Sequence, residues 1–183
     1  MDHLKEQRIS SELAYDGKFL KVNKDVVRLP DGTQTEREYI RHPGAVVVLP
    51  VFADGRILLE RQFRYPTHSV YIEFPAGKIE AGEDHLECAK RELLEETGYR
   101  ASEWRFLTSI HNAIAYSDEH LEIFLAQGLT PGQAQLDEGE FLETFTATLP
   151  EMLQWIREGK ITDVKTVIGT FWLERIFDGR WQA

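Results

Sequence analysis

Cysteine is almost missing from this chain: Cys88 is the single one in 183 residues. One thiol excludes an intrachain disulfide and suits a reducing compartment. Long apolar runs are missing too; none approaches the ~20 residues that a membrane-spanning helix needs. The stretch from Met1 to Ser11 is charged and has no apolar core of the kind found in a secretory signal. Basic residues are in deficit. Lys and Arg number 21 against 31 Asp and Glu, a formal net charge of -10. That balance argues against nucleic acid as a partner, which would need a basic footprint. Internal repeats and low-complexity tracts are also absent. The expectation is a soluble cytoplasmic protein without membrane contact.

What is present is ordinary globular composition, 42% hydrophobic and 28% charged, in a chain long enough for one real core and a small appendage. Residues 1–42 read as a small antiparallel sheet. Val22, Val26 and Val27 are strand-like, Pro30-Asp31-Gly32 is a turn, and Thr33 to Arg41 is a returning strand. A boundary is expected near His42-Pro43-Gly44, so that residues 43–183 form the main domain. A two- or three-stranded sheet is barely stable alone, and this one is expected to pack on the rest of the chain or on a second subunit.

In the main domain, Ala45 to Val51 is a continuous apolar run, the mark of a buried central strand. Ile57 to Phe63 and Val70 to Phe74 follow as strands, then Trp104 to His111, Leu121 to Ala126 and Phe141 to Thr146. Thr148-Leu149-Pro150-Glu151 has the form of a capping box, opening a helix that ends at Gly159. A last helix starts near Thr162 or Asp163 and runs to Phe177.

The stretch from Gly77 to Tyr99 carries the chemistry. Gly82, Glu83 and Asp84 sit where a helix should begin, and Gly98 suits its end. On a helical wheel Leu86, Ala89 and Leu93 share one stripe, while Glu92, Glu95 and Glu96 share a neighbouring arc. Carboxylates crowded on one face repel by roughly 1 kcal/mol per close pair in water, and by more where water is reduced. A hard divalent cation would remove that repulsion and use the oxygens as ligands. A bare E-x-x-E-E is more often a solvated face.

The whole pattern is more specific. Gly77, five residues, Glu83, seven residues, then Arg91-Glu92-Leu93-x-Glu95-Glu96-x-Gly98-Tyr99 resembles the Nudix box at every fixed position. The resemblance implies an α/β fold, an α/β/α sandwich around a mixed sheet. It also implies an Mg²⁺- or Mn²⁺-dependent pyrophosphohydrolase, with two or three ions per active site. Glu92 and Glu96 are then metal ligands, with Glu95 beside them as a catalytic carboxylate, and the Ala76 carbonyl completes the coordination. Gly77, Glu83, Arg91 and Gly98 are structural in the box, Arg91 forking onto Glu83 or Glu95.

Further stretches resemble the ADP-ribose pyrophosphatase and nucleoside diphosphate sugar hydrolase subfamily. They are Glu38 to Val46, Arg61 to Pro66, Glu73 to Gly77, Ser117-Asp118-Glu119 and Ile161 to Thr166. That resemblance implies a nucleoside diphosphate sugar as substrate, with ADP-ribose first, and a homodimer built by exchange of the N-terminal sheet. It implies Glu138 as general base and Glu140 as a further metal ligand, roles that can be interchanged between the two. Arg41 and Arg64 suit the diphosphate, Glu73 and Glu119 the ribose hydroxyls or outer metal contacts. Tyr39, with Phe63 and Tyr65, could stack the base. His111 and His120 receive no role. One departure stands out: the Pro-Gly pair of ADP-ribose-preferring members is replaced by Ile114-Ala115. GDP-mannose or a broad set of nucleotide sugars therefore stays open, and so does a sensor that binds without turnover.

Overall fold

The computed structural model describes residues 2–182 and divides the chain into two compact units. The smaller holds the chain up to Gly44 together with His111–His120. It is built on three antiparallel strands in sequential order, β1 (Gln7–Asp16), β2 (Lys21–Arg28) and β3 (Gln34–Arg41). The turn between β2 and β3 uses Gly32 at φ 87°, and Asp31 caps it by accepting from the Thr33 amide at 2.9 Å. Every residue of β1 is exposed, Ile9, Leu13 and Tyr15 among them.

The larger unit, Ala45–Ile110 with Leu121–Ala183, carries the remaining strands and the three α-helices of the described residues. Its first strands are β4 (Ala45–Pro50), β5 (Ile57–Arg64), β6 (Ser69–Glu73) and β7 (Ala76–Lys78). Then come α1 (His85–Thr97), β8 (Tyr99–Ile110), β9 (Leu121–Pro131), β10 (Leu142–Ala147), α2 (Leu149–Arg157) and α3 (Val164–Phe177). One sheet has the order β7-β4-β9-β8 and is mixed: β4 runs parallel to β9 and antiparallel to β7. The other is antiparallel, in the order β10-β5-β6.

The apolar run of β4 is buried on both faces, and its alternation sorts it between two cores. Val46 and Val48 pack with Cys88, Ala89 and Leu93 of α1 and with Phe124 and Ala126 of β9. Val47 and Leu49 point the other way, into a core with Leu59 of β5, Phe74, Met152 of α2 and Leu173 of α3. Each fully buried Leu of this kind is worth roughly 2 kcal/mol against exposure. The fold of the larger unit is thus α/β with helices on both sides of a mixed sheet, and the chain also carries a separate antiparallel N-terminal sheet. No described helix is long and apolar enough to cross a membrane.

Local chemistry sets the helix ends. Asp84 caps α1, its carboxylate accepting from the amides of Leu86 and Glu87, and Gly98 closes it at φ 71°. Gly98 leads directly into β8, which therefore starts at Tyr99, five residues before the Trp104 expected from pattern alone. Thr148 and Glu151 form the reciprocal capping box of α2. Asp163 caps α3 by accepting from the Thr166 amide.

Candidate active site

Helix α1 buries Cys88, Ala89 and Leu93 and so turns Glu92, Glu95 and Glu96 along the adjoining arc. Arg91 sits among them as a hub. Its Nε and Nη2 donate to the two oxygens of Glu83 at 2.8 and 3.0 Å, a fork across the loop that precedes the helix. Its Nη1 donates to Glu92 at 2.7 Å and to Glu95 at 3.0 Å. The guanidinium beside Glu83 holds that carboxyl down to about 2. Glu83 also accepts from the Glu80 amide at 3.0 Å, which pins the loop.

Glu96 is buried, and its Oε2 accepts the Ala76 amide at 3.0 Å. Burial, followed by the charges of Glu60, Glu92 and Glu140, pushes Glu96 well above the usual carboxylate range. Burial also raises Glu92, with Arg91 acting against it. Gly77 makes room for this pair. A Cβ built there would lie 1.8 Å from Glu92 Cδ, so the Glu92 carboxylate holds its present place because position 77 has no side chain.

Glu140 comes from the loop between β9 and β10. It accepts from Gln62 Nε2 at 3.1 Å, and its charge reaches Glu60, Glu92 and Glu96. Glu138, two residues earlier on that loop, is exposed. The structure therefore gathers Glu92 and Glu96 from the helix with Glu140 from the loop, at the edge where Ala76 and Gly77 of β7 run past. Glu95 lies at the rim on Arg91.

Two buried groups were not singled out by sequence. Glu60 of β5 is fully buried, and neither of its oxygens has a hydrogen-bond partner. Burial pushes it up to about 8. Lys165 of α3 is buried against Glu73. Glu73 also takes a bidentate fork from Arg64, both bonds at 2.7 Å. The available signal for Glu60 was its spacing. Glu60, Gln62 and Arg64 alternate along one strand face, and Glu60 pairs directly with Glu73.

The remaining candidates fall as follows. Phe63 and Tyr65 are exposed, at 52% and 74%. In the smaller unit, the Tyr39 hydroxyl donates to Asp25 at 3.1 Å and Arg41 Nη1 donates to Asp118 at 2.8 Å. Asp118 also accepts the His42 amide at 2.8 Å, and Glu119 accepts from Asn112 at 3.1 Å.

The donor set suits a hard divalent cation: carboxylate oxygens that repel one another, those of Glu60 and Glu96 buried, with Glu60 left without any donor. Among the described residues no three His, Cys, Asp or Glu side chains stand in ready metal-holding geometry, so binding would draw these carboxylates together.

The NUDIX domain pattern matches residues 41–165. The chain belongs to the Nudix family. A second pattern, the nucleoside diphosphate sugar hydrolase N-terminal domain, matches residues 6–40 of this Nudix hydrolase. It is 37% identical over 176 residues to the ADP-ribose pyrophosphatase of Bacillus subtilis, covering 95% of each chain. It is 40% identical over 171 residues to the methanol dehydrogenase activator of Bacillus methanolicus, covering 92% of each. A crystal structure of an ADP compounds hydrolase superposes with TM-score 0.88 at 25% identity, over 98% of this chain and 97% of that one. This chain is therefore a Nudix pyrophosphohydrolase, and enzymes of the family generally use a divalent metal such as Mg²⁺.

Proposed function

We propose that this Nudix hydrolase splits the pyrophosphate bond of a nucleoside diphosphate sugar, ADP-ribose first, giving AMP and ribose 5-phosphate. The observation that carries the reading is the buried Glu96 next to the half-buried Glu92 and Glu140, with Arg91 as the neighbouring cation. At an effective dielectric near 20, two carboxylates about 4 Å apart repel by roughly 4 kcal/mol. A site built this way favours a divalent cation strongly. Two or three Mg²⁺ or Mn²⁺ ions fit the number of carboxylates, with Glu92, Glu96, Glu140 and the Ala76 carbonyl as the ligands. When bound, a divalent cation neutralises diphosphate charge and makes water a stronger nucleophile.

The chain's own residues do the rest. Glu138, exposed on its loop, takes the proton of the attacking water, the two roles being interchangeable with Glu140. Arg91 locks Glu83, Glu92 and Glu95 in place, a positioning role. Glu73 holds Arg64, whose side chain stays 42% exposed and able to fork onto a phosphate. Arg41, Tyr39 and Glu119 are proposed to meet the nucleotide and its ribose. Exposed Ile9, Leu13 and Tyr15 on β1 support a homodimer in which a second copy covers that sheet. Ile114, 80% exposed at the position where Pro-Gly is expected, favours breadth toward other nucleotide sugars such as GDP-mannose.

The test is a panel of diphosphate compounds with Mg²⁺ or Mn²⁺ and identification of products. ADP-ribose should yield AMP and ribose 5-phosphate. Glu96→Gln should lose roughly a hundredfold or more in kcat, as loss of a metal ligand worth several kcal/mol implies. Glu138→Gln should lose roughly 10²–10⁴-fold. Binding of nucleotide sugar without any turnover would make the protein a sensor instead.

A further inference from the structure

Glu60 stands in the interior of β5, between Leu59 and Arg61, where a valine would fit the strand without difficulty. Instead the position holds a fully buried carboxylate whose two oxygens accept no hydrogen bond. Folded proteins leave few buried polar atoms in that condition. Asp25 Oδ1, in the other unit, is the remaining case among the described residues. Nearby cations do not resolve it. Lys165 and Arg64 both reach Glu60 through space, but each makes its hydrogen bonds to Glu73, with Lys165 also on Asp163. The charged groups acting on Glu60 are Glu73 from β6, Lys165 from α3, Arg64 from its own strand and Glu140 from the β9–β10 loop. Two residues along the same face of β5, Gln62 donates to Glu140 at 3.1 Å, and the charge of Glu60 also reaches Glu96 of α1. The orphaned carboxylate therefore lies against the cluster already described, not against a separate pocket.

We infer that Glu60 is a further carboxylate ligand of the divalent-cation centre, supplied by the sheet while Glu92 and Glu96 are supplied by the helix. This rests on the metal-centre reading given above. It explains why both oxygens lack a donor in the protein: they face an ion. It also explains why Glu73, its direct partner across the ladder, holds the two cations that could otherwise neutralise Glu60. A lysine or arginine on Glu60 would compete with the metal. Fixed on Glu73, the same cations leave Glu60 available.

The experiment is calorimetric titration of Mn²⁺ into the full-length protein stripped with a chelator, for wild type, Glu60→Gln and Glu60→Val. Melting temperatures are measured with and without Mn²⁺. Gln keeps the shape and Val suits the strand, so a folding failure in one leaves the other to decide. Wild type should bind Mn²⁺, and each variant should bind it roughly tenfold more weakly or lose one equivalent. Without metal, Glu60→Val should melt higher than wild type, and saturating Mn²⁺ should reverse that order. Unchanged affinity and stoichiometry in the variants would overturn the role of Glu60 alone. A wild type that takes up no Mn²⁺ would overturn the metal centre with it.

Discussion

Glu60 and Glu73 face each other across one rung of the same antiparallel ladder, both almost fully buried. Their electrostatic fates are opposite. Burial works against the ionised form of Glu73, but the Arg64 fork and Lys165 outweigh it and hold its carboxyl below the usual range. Glu60 has no such partner, and burial pushes it up to about 8. Burial is shared by the two positions, so it does not decide the difference; the direct donors do. The comparison separates two uses of a buried acid. Glu73 is a finished ion-pair cluster that ties β6 to α3 and fixes Arg64. Glu60 is unfinished as protein alone and belongs with Glu92, Glu96 and Glu140.

The sharpest way to break the contrast is to make Glu73 as unfinished as its neighbour. Glu73→Gln would strand Lys165, 8% exposed, without its main counter-charge. Removing one partner of a buried pair costs roughly 3–5 kcal/mol; since Arg64 reaches solvent, the loss here should be about 3 kcal/mol by urea denaturation. The pH dependence carries a sign. Glu73 has a depressed folded value, so its contribution is present above its ordinary 4.5 and is lost as pH falls through the folded value. The stability gap between wild type and Glu73→Gln should therefore shrink below that pH.

A smaller effect tests the other side of the comparison. In Gly77→Ala the atoms nearest the new Cβ would be those at the far end of the Glu92 side chain, which can rotate away. Stability should change little. The displaced carboxylate should cost roughly tenfold in Mn²⁺ affinity, the scale seen when a metal ligand loses its orientation. An unchanged affinity would mean that Glu92 is not a ligand.

Much of this was legible in the sequence where the chemistry is local. Asp84 and Gly98 bracket α1 because a cap and a left-handed residue act within a turn of themselves. The arc of Glu92, Glu95 and Glu96 follows from helical period alone. The capping box at Thr148 was likewise readable from four residues. What stayed hidden is long-range. Lys165 meets Glu73 across 92 positions of sequence, and nothing near either residue announces the other. Glu60 falls inside the expected strand Ile57 to Phe63, but it precedes a polar cluster, and its sequence neighbours do not say which face it occupies. Only the pairing of β5 with β6 and β10 shows that it lies inside.

The central claim is that these carboxylates are gathered to hold divalent cations. Anomalous diffraction from crystals grown with Mn²⁺ and a nucleotide sugar tests it most directly. The account predicts a manganese peak among Glu92, Glu96 and the Ala76 carbonyl. A well-ordered site with those side chains turned apart and no anomalous peak between them would contradict it.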